Sequence, residues 1–250
     1  MAFSGGVDST FLLYTSKMIL KNQIIAVTAT SSTYSNRELQ SAMDFTNLQN
    51  IKHKIIRSEE LEIPEFSDNP KNRCYFCKLE LFGKLKKMAT DLGFSVVFDG
   101  ANYDDINDYR PGMKAAMELG IVSPLKEAKL TKNDIRKLSK EMGLKTWDKP
   151  ARACLASRIP YGEKITPLKL DRISRAENFL EDLGFTQVRV RYHDDLARIE
   201  FENDEMKRIF SKNLQTKIHN KLRDLGFTYV TLDLLGYRQG SMNEVLKSKK

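Results

Sequence analysis

Nowhere in its 250 residues does this sequence hold an apolar run near the roughly 20 residues that a bilayer-spanning helix requires. No charged and apolar leader precedes its first motif either, so the chain reads as cytoplasmic, with no membrane partner. Cysteine is scarce. The three present, Cys74, Cys77 and Cys154, are an odd count, which argues against a disulfide scaffold and leaves metal binding, thiol chemistry or plain burial. Histidine is equally rare: His53, His193 and His219 have no ligand-like spacing to any cysteine, so a four-coordinate zinc site lacks its fourth ligand. Also missing is a basic stripe with interleaved aromatics for base stacking, which disfavours a nucleic-acid partner.

What is present describes a globular chain, 41% hydrophobic and 30% charged, long enough for one large or two modest domains. Its net charge of +8 and pI of about 9.2 suit an anionic partner, either nucleic acid or a phosphorylated small molecule. The surplus is spread out, and only Lys247, Lys249 and Lys250 form a cluster.

Ser4-Gly5-Gly6-Val7-Asp8-Ser9 organises the rest. Adjacent glycines let a backbone turn sharply and approach an anion with no Cβ in the way. The apolar run that follows (Phe11, Leu12, Leu13, Met18, Ile19) makes the loop the entrance to a helix, where unpaired N–H groups favour phosphate. Ser4 and Ser9 add hydroxyls, and Asp8 supplies a carboxylate for Mg²⁺. The common phosphate loop needs four residues between its glycines and a lysine beside them, whereas the first lysine here is Lys17.

Taken in order, helix from Ser9 to about Leu20, strand from Ile24 to Ala29, helix from an N-cap at Asn36 and strand from Lys52 to Arg57 alternate. That alternation predicts an α/β fold with a doubly wound parallel sheet, whose ligands bind beyond the carboxyl ends of the strands. A strand should precede the first loop, yet only Ala2 and Phe3 supply it, so that strand is very short or begins outside this sequence. A helix from about Lys78 to Leu92 and a strand from Ser95 to Phe98 follow. That strand ends in Asp99-Gly100-Ala101-Asn102-Tyr103-Asp104-Asp105, where short polar side chains are placed for Mg²⁺ or nucleotide, Asp104 among them. Helical patterns over Pro111–Leu119 and from an N-cap at Thr131 to Met142 complete a first domain over 1–148. Prolines 150 and 160 break the pattern and open a smaller α+β domain over 149–250. Its helix-then-strand unit recurs, Leu183-Gly184-Phe185-Thr186 echoed by Leu225-Gly226-Phe227-Thr228, with a strand Leu196–Phe201 between.

Spacing alone leaves Cys74-x-x-Cys77 open between a redox pair, half a zinc site and unrelated thiols. Together with Cys154 it could also hold a 4Fe–4S cluster with one open iron, a reading that spacing ranks ahead of zinc and behind unrelated cysteines.

Ser4–Ser9 resembles the SGGxDS signature of the PP-loop ATP pyrophosphatases, which implies an adenine nucleotide alpha hydrolase-like domain that cleaves ATP to AMP and pyrophosphate. Further motifs narrow this. Arg73-Cys74-x-x-Cys77-Lys78, Cys154-Leu155-Ala156-Ser157-Arg158-Ile159-Pro160-Tyr161-Gly162 and Leu235-Gly236-Tyr237-Arg238-x-Gly240-Ser241 are similar to the LarE family over nearly the whole chain. The resemblance implies an ATP-dependent sulfur transferase in nickel-pincer nucleotide biosynthesis for lactate racemase. Its substrate would be pyridinium-3,5-biscarboxylic acid mononucleotide, adenylated on a carboxylate whose oxygen sulfur then replaces. On this resemblance Ser4, Gly5, Gly6, Asp8, Ser9 and Asp104 bind ATP and Mg²⁺, and Cys74, Cys77 and Cys154 hold a 4Fe–4S cluster that relays sulfide from a sulfide donor. Arg189 and Arg191, alternating along one strand face, grip the substrate phosphate. Ser157, Arg158 and Arg238 add donors, and Glu177 and Glu200 face the ring or its ribose. The family also implies a homo-oligomer. Three alternatives stay open: sacrificial sulfur donation from Cys154, a PP-loop tRNA thiolase, and a non-catalytic nucleotide-binding module.

Overall fold

Small and β-branched residues after the first helix build the strand around which the first unit, Met1–Arg152, is layered. The computed structural model describes residues 1–107, 111–150 and 152–247; Ala151 of the cysteine motif and Lys249 and Lys250 of the basic tail lie outside them. The elements in order are α1 (Val7–Leu20), β1 (Ala26–Thr30), α2 (Asn36–Leu48), β2 (His53–Arg57), α3 (Pro64–Ser67), α4 (Arg73–Asp91), α5 (Pro111–Glu118), α6 (Pro124–Glu127) and α7 (Lys132–Glu141).

β1 and β2 pair in parallel, Ala26 opposite His53. On the other side of β1 the short segment before the glycine loop adds a bridge, with the Phe3 N–H donating to Val27 O and the Val27 N–H to Met1 O, each at 2.9 Å. The Ala2 N–H donates to Phe98 O at 2.8 Å, and Phe98 pairs in parallel with Val122. Spatial order therefore runs β2, β1, residues 1–3, residues 97–99, residues 121–123. Chain order reverses beside residues 1–3, which places the glycine loop at the point where a parallel sheet opens a crevice. Successive side chains of β1 leave on opposite faces. Ala26 packs with Phe3, Leu13 of α1 and Ala42 of α2. Val27 packs with Leu81, Phe82 and Leu85 of α4 and Ala116 of α5. Both faces are thus covered by helices. Phe11 and Leu12 of α1, Leu125 of α6 and Ile135 of α7 close a third cluster.

Three local expectations are corrected. α2 is capped by Ser35, whose Oγ accepts the Arg37 N–H at 3.2 Å, while Asn36 is already helical. α4 begins at Arg73 and not at Lys78, because a turn from Pro70 O to the Arg73 N–H at 3.0 Å starts it early. Both Cys74 and Cys77 therefore belong to the first two turns of a helix. The stretch Ser95–Phe98 is a single bridge at Phe98 and no ladder, since the segments on either side of it are themselves short.

The second unit, Ala153–Lys250, holds α8 (Pro167–Asp182), β3 (Val188–His193), β4 (Leu196–Phe201), α9 (Lys212–Asp224) and β5 (Tyr229–Leu232). Its sheet runs β3-β4-β5, antiparallel then parallel. One face is apolar: Val188, Val190 and Tyr192 lie opposite Phe201, Ile199 and Ala197. The two echoed phenylalanines share one role, both fully buried, Phe185 against Phe201 at 4.3 Å and Phe227 edge-on to Tyr192 at 5.6 Å. No helix among the described residues is long and apolar enough to cross a membrane.

α7 depends on its cap. The Thr131 Oγ1 accepts the Asp134 N–H, and the Asp134 carboxylate accepts the Thr131 N–H at 3.0 Å. Thr131→Ala should lower the unfolding free energy by about 1 kcal/mol, read as a shift of the urea midpoint at unchanged slope.

Candidate functional site

In the first unit the glycine loop is a cradle that side chains would fill. Gly5 has φ +69°, and a Cβ there would stand 3.2 Å from the Ala42 Cβ. From the end of the neighbouring segment 97–99, Gly100 comes so close to α1 that its own Cβ would lie 3.2 Å from the Ser9 backbone nitrogen. α1 has no side-chain cap at Gly6, and its first backbone bond is Thr10 N–H to Gly6 O at 2.9 Å. The N–H groups of Val7, Asp8 and Ser9 therefore lack intrahelical acceptors, as at any helix start. Ser4 and Ser9 bring their hydroxyls to 3.0 Å of each other at the same end, and Ser9 Oγ donates to Gly6 O at 3.2 Å. Phosphate oxygens fit such a donor set.

Asp8 is already engaged. Its Oδ2 accepts from Lys132 Nζ, and its Oδ1 from Asn102 Nδ2 at 3.2 Å. The Lys132 backbone N–H donates to Asp104 Oδ2 at 2.8 Å, so one lysine joins Asp8 to Asp104. Both carboxylates are hard oxygen donors of the kind Mg²⁺ takes. Asn102 stands in the polar stretch after Phe98, but Lys132 carries no local signal in the sequence, because its meaning comes from being brought beside Asp8 across 124 residues.

Cys74 is exposed and Cys77 half-buried. Three residues apart in one helix, they share a face. Thiolates are the soft ligands that iron–sulfur clusters take. Among the described residues no group of three or more His, Cys, Asp and Glu is gathered as for a single metal ion.

Cys154 belongs to the second unit, half-buried at the entry to a short 3₁₀ turn, Leu155–Arg158. Two guanidinium–carboxylate pairs hold that turn. Arg158 is bidentate to Glu177 of α8, Nε and Nη2 each 2.9 Å from a carboxylate oxygen. Its Nη1 donates to Ala153 O at 2.7 Å, Cys154 O at 3.1 Å and Ser157 Oγ at 2.9 Å. Glu177 also accepts the Val190 N–H at 2.9 Å, which satisfies an open donor on the edge strand β3. Arg191 is bidentate to Glu200 at 2.9 and 2.7 Å, and donates to Ser157 O at 2.8 Å and Ser241 Oγ at 2.7 Å. Arg189 and Arg191 do share a face of β3, opposite Glu200 and Arg198. Arg189 lies over the Tyr237 ring at 5.2 Å, and burial, with Arg158 adding to it, lowers its pKa to about 10. Arg238 joins the network from outside: it pairs with Asp233 at 3.1 Å and Glu244 at 3.0 Å, which raise its pKa, and Asp233 also meets Arg198.

The candidates thus gather within each unit. Ser4, Gly5, Gly6, Asp8, Ser9 and Asp104 converge in the first. Cys154, Ser157, Arg158, Glu177, Arg189, Arg191, Glu200 and Arg238 converge in the second. Glu177 and Glu200 face arginines, not open space. Ser241 and Tyr237, both part of the motif Leu235–Ser241, complete the second group.

The class so defined is a mixed α/β protein whose parallel sheet carries a glycine loop at its carboxyl edge. The chain belongs to the LarE family. It is 37% identical, over 98% of its length and 89% of the relative's, to the pyridinium-3,5-bisthiocarboxylic acid mononucleotide synthase of Lactiplantibacillus plantarum. It is 44% identical to an uncharacterized Synechocystis protein over 98% and 92% of the two chains. A Methanocaldococcus jannaschii protein, also uncharacterized, matches at 32% over 95% and 90%. No protein-family model matches the chain.

Burial alone would raise the Glu177 pKa, but the Arg158 guanidinium, together with Arg189 and the Val190 N–H, holds the carboxyl below its ordinary range. A depressed carboxyl pKa contributes stability above the unfolded value, lost as pH falls through the folded one. Glu177→Gln should therefore cost about 3 kcal/mol at pH 7 by stranding Arg158. In urea titrations the gap between wild type and variant should narrow below the ordinary carboxylate range.

Proposed function

We propose that this chain is an ATP-dependent sulfur transferase that converts a carboxylate of pyridinium-3,5-biscarboxylic acid mononucleotide to a thiocarboxylate, a step in making the nickel-pincer nucleotide of lactate racemase. One observation carries the reading: near-full-length identity of 37% to a synthase whose name states the bisthiocarboxylic product. The uncapped glycine cradle and the arginines sharing a face of β3 support it, since the reaction requires two places to meet phosphate.

In this reading the N–H groups from Gly6 to Ser9 and the hydroxyls of Ser4 and Ser9 bind the ATP phosphates. Asp8 and Asp104 would hold Mg²⁺, which neutralises charge on the departing pyrophosphate. The substrate carboxylate oxygen attacks the α-phosphorus, and the bond to pyrophosphate breaks. Donors aimed at that leaving group supply most of the acceleration. Arg189, with Arg191 and Arg238 behind it, meets the phosphate of the mononucleotide. Ser157, Arg158, Glu177 and Glu200 shape the ground on which it lies. Sulfur then attacks the acyl carbon, and AMP leaves with the electron pair of the broken C–O bond. Cys74, Cys77 and Cys154 would hold a 4Fe–4S cluster, whose iron without a protein ligand supplies sulfide when bound.

Pyrophosphate should be released from ATP when the mononucleotide is present, and Gly5→Ala should slow this about 10²-fold by displacing the cradle. No pyrophosphate from the wild type under anaerobic conditions would overturn the reading. Anaerobic reconstitution should load about four irons per chain, lost in Cys74→Ala. An iron-free active protein that leaves dehydroalanine at Cys154 would instead assign the sulfur to that residue.

A further inference from the structure

Lys149 lies outside every motif that the proposed reaction uses, yet its amine reaches into the glycine loop. Nζ donates to the Gly5 carbonyl at 2.9 Å and lies 3.5 Å from the Ser41 Oγ of α2. Its own backbone is anchored: Arg136 of α7 donates to Trp147 O at 2.7 Å and to Lys149 O at 2.9 Å. The Trp147 ring is itself covered by the Lys140 ammonium at 4.4 Å. The amine therefore stands on a rigid base. Its partial burial lowers the pKa, with Glu38 opposing and Arg152 adding to the effect.

The acceptor matters more than the donor. The Gly5–Gly6 peptide is trans, so its carbonyl and its N–H point in opposite directions across one plane. Holding the carbonyl fixes where the N–H aims. That N–H belongs to Gly6, the residue that enters α1, and it donates to Ser4 Oγ at a long 3.4 Å. Two glycines in a row give this peptide more freedom to flip than any other residue pair would. Something must hold it.

We propose that Lys149 is the positioning residue of the phosphate cradle: by gripping the Gly5 carbonyl from behind, it turns the Gly6 N–H toward the phosphates. This rests on the ATP reading above and adds a residue to it.

The experiment is calorimetric titration of the full chain with pyrophosphate, with ATP and with adenosine, for wild type, Lys149→Met and Lys149→Arg. Lys149→Met keeps the aliphatic stem and removes the donor. Pyrophosphate and ATP should bind it roughly tenfold more weakly, adenosine should bind as before, and Lys149→Arg should regain most of the loss. Equal affinities in all three proteins would overturn the proposal alone, and so would a parallel fall for adenosine together with the melting temperature. A wild type that binds neither pyrophosphate nor ATP would overturn the ATP reading and the positioning role with it.

Discussion

A guanidinium withdrawn from water costs several kcal/mol unless its donors are met, and the second unit withdraws three on one turn and one strand: Arg158, Arg189 and Arg191 are all at least nine-tenths buried. Much else in that unit answers to this requirement. Glu177 projects from α8 to take both ends of Arg158, and Glu200 from β4 to take both ends of Arg191. The donors left over turn to the backbone, to the carbonyls of Ala153, Cys154 and Ser157. The loop around Cys154 is shaped by charge pairs beneath it, since it has little regular structure of its own.

The first unit solves the reverse problem. There the donors are backbone N–H groups at the start of α1, and the structure keeps them open. Gly5 and Gly100 give up side chains so that Ala42 and Ser9 can approach. Gly6 leaves the helix uncapped, although Thr131 and Ser35 cap α7 and α2. Lysines approach the loop at the carboxylate of Asp8 and at the carbonyl of Gly5, and so balance acceptors that would repel an anion. An open helix start with lysines held on two nearby oxygens has the donor set that the proposed phosphate site requires.

Much of this was legible beforehand because it is local. Thr131 with Asp134 three residues on announces a cap, and the cap is there. Arg189 and Arg191 two apart on a strand must share a face, and they do. The errors fell at element boundaries, as where Ser35 and not Asn36 caps α2. The helix expected from about Lys78 starts at Arg73, because the turn at Pro70 draws Cys74 and Cys77 into α4. Ser95–Phe98 has strand composition, but its partners in the sheet are too short to make a ladder.

What the sequence determined by itself was the alternation of helix and strand and the glycine loop that enters a helix. These follow from periodicity and from φ preferences, which act over a few residues. Tertiary structure alone decided the pairings: which carboxylate meets Arg158, which lysine meets Asp8, and that Lys149 reaches Gly5 across 144 residues. Coulomb attraction and hydrogen bonding act over a few ångströms in space, and no local pattern records which distant residues the folded chain will bring within that range.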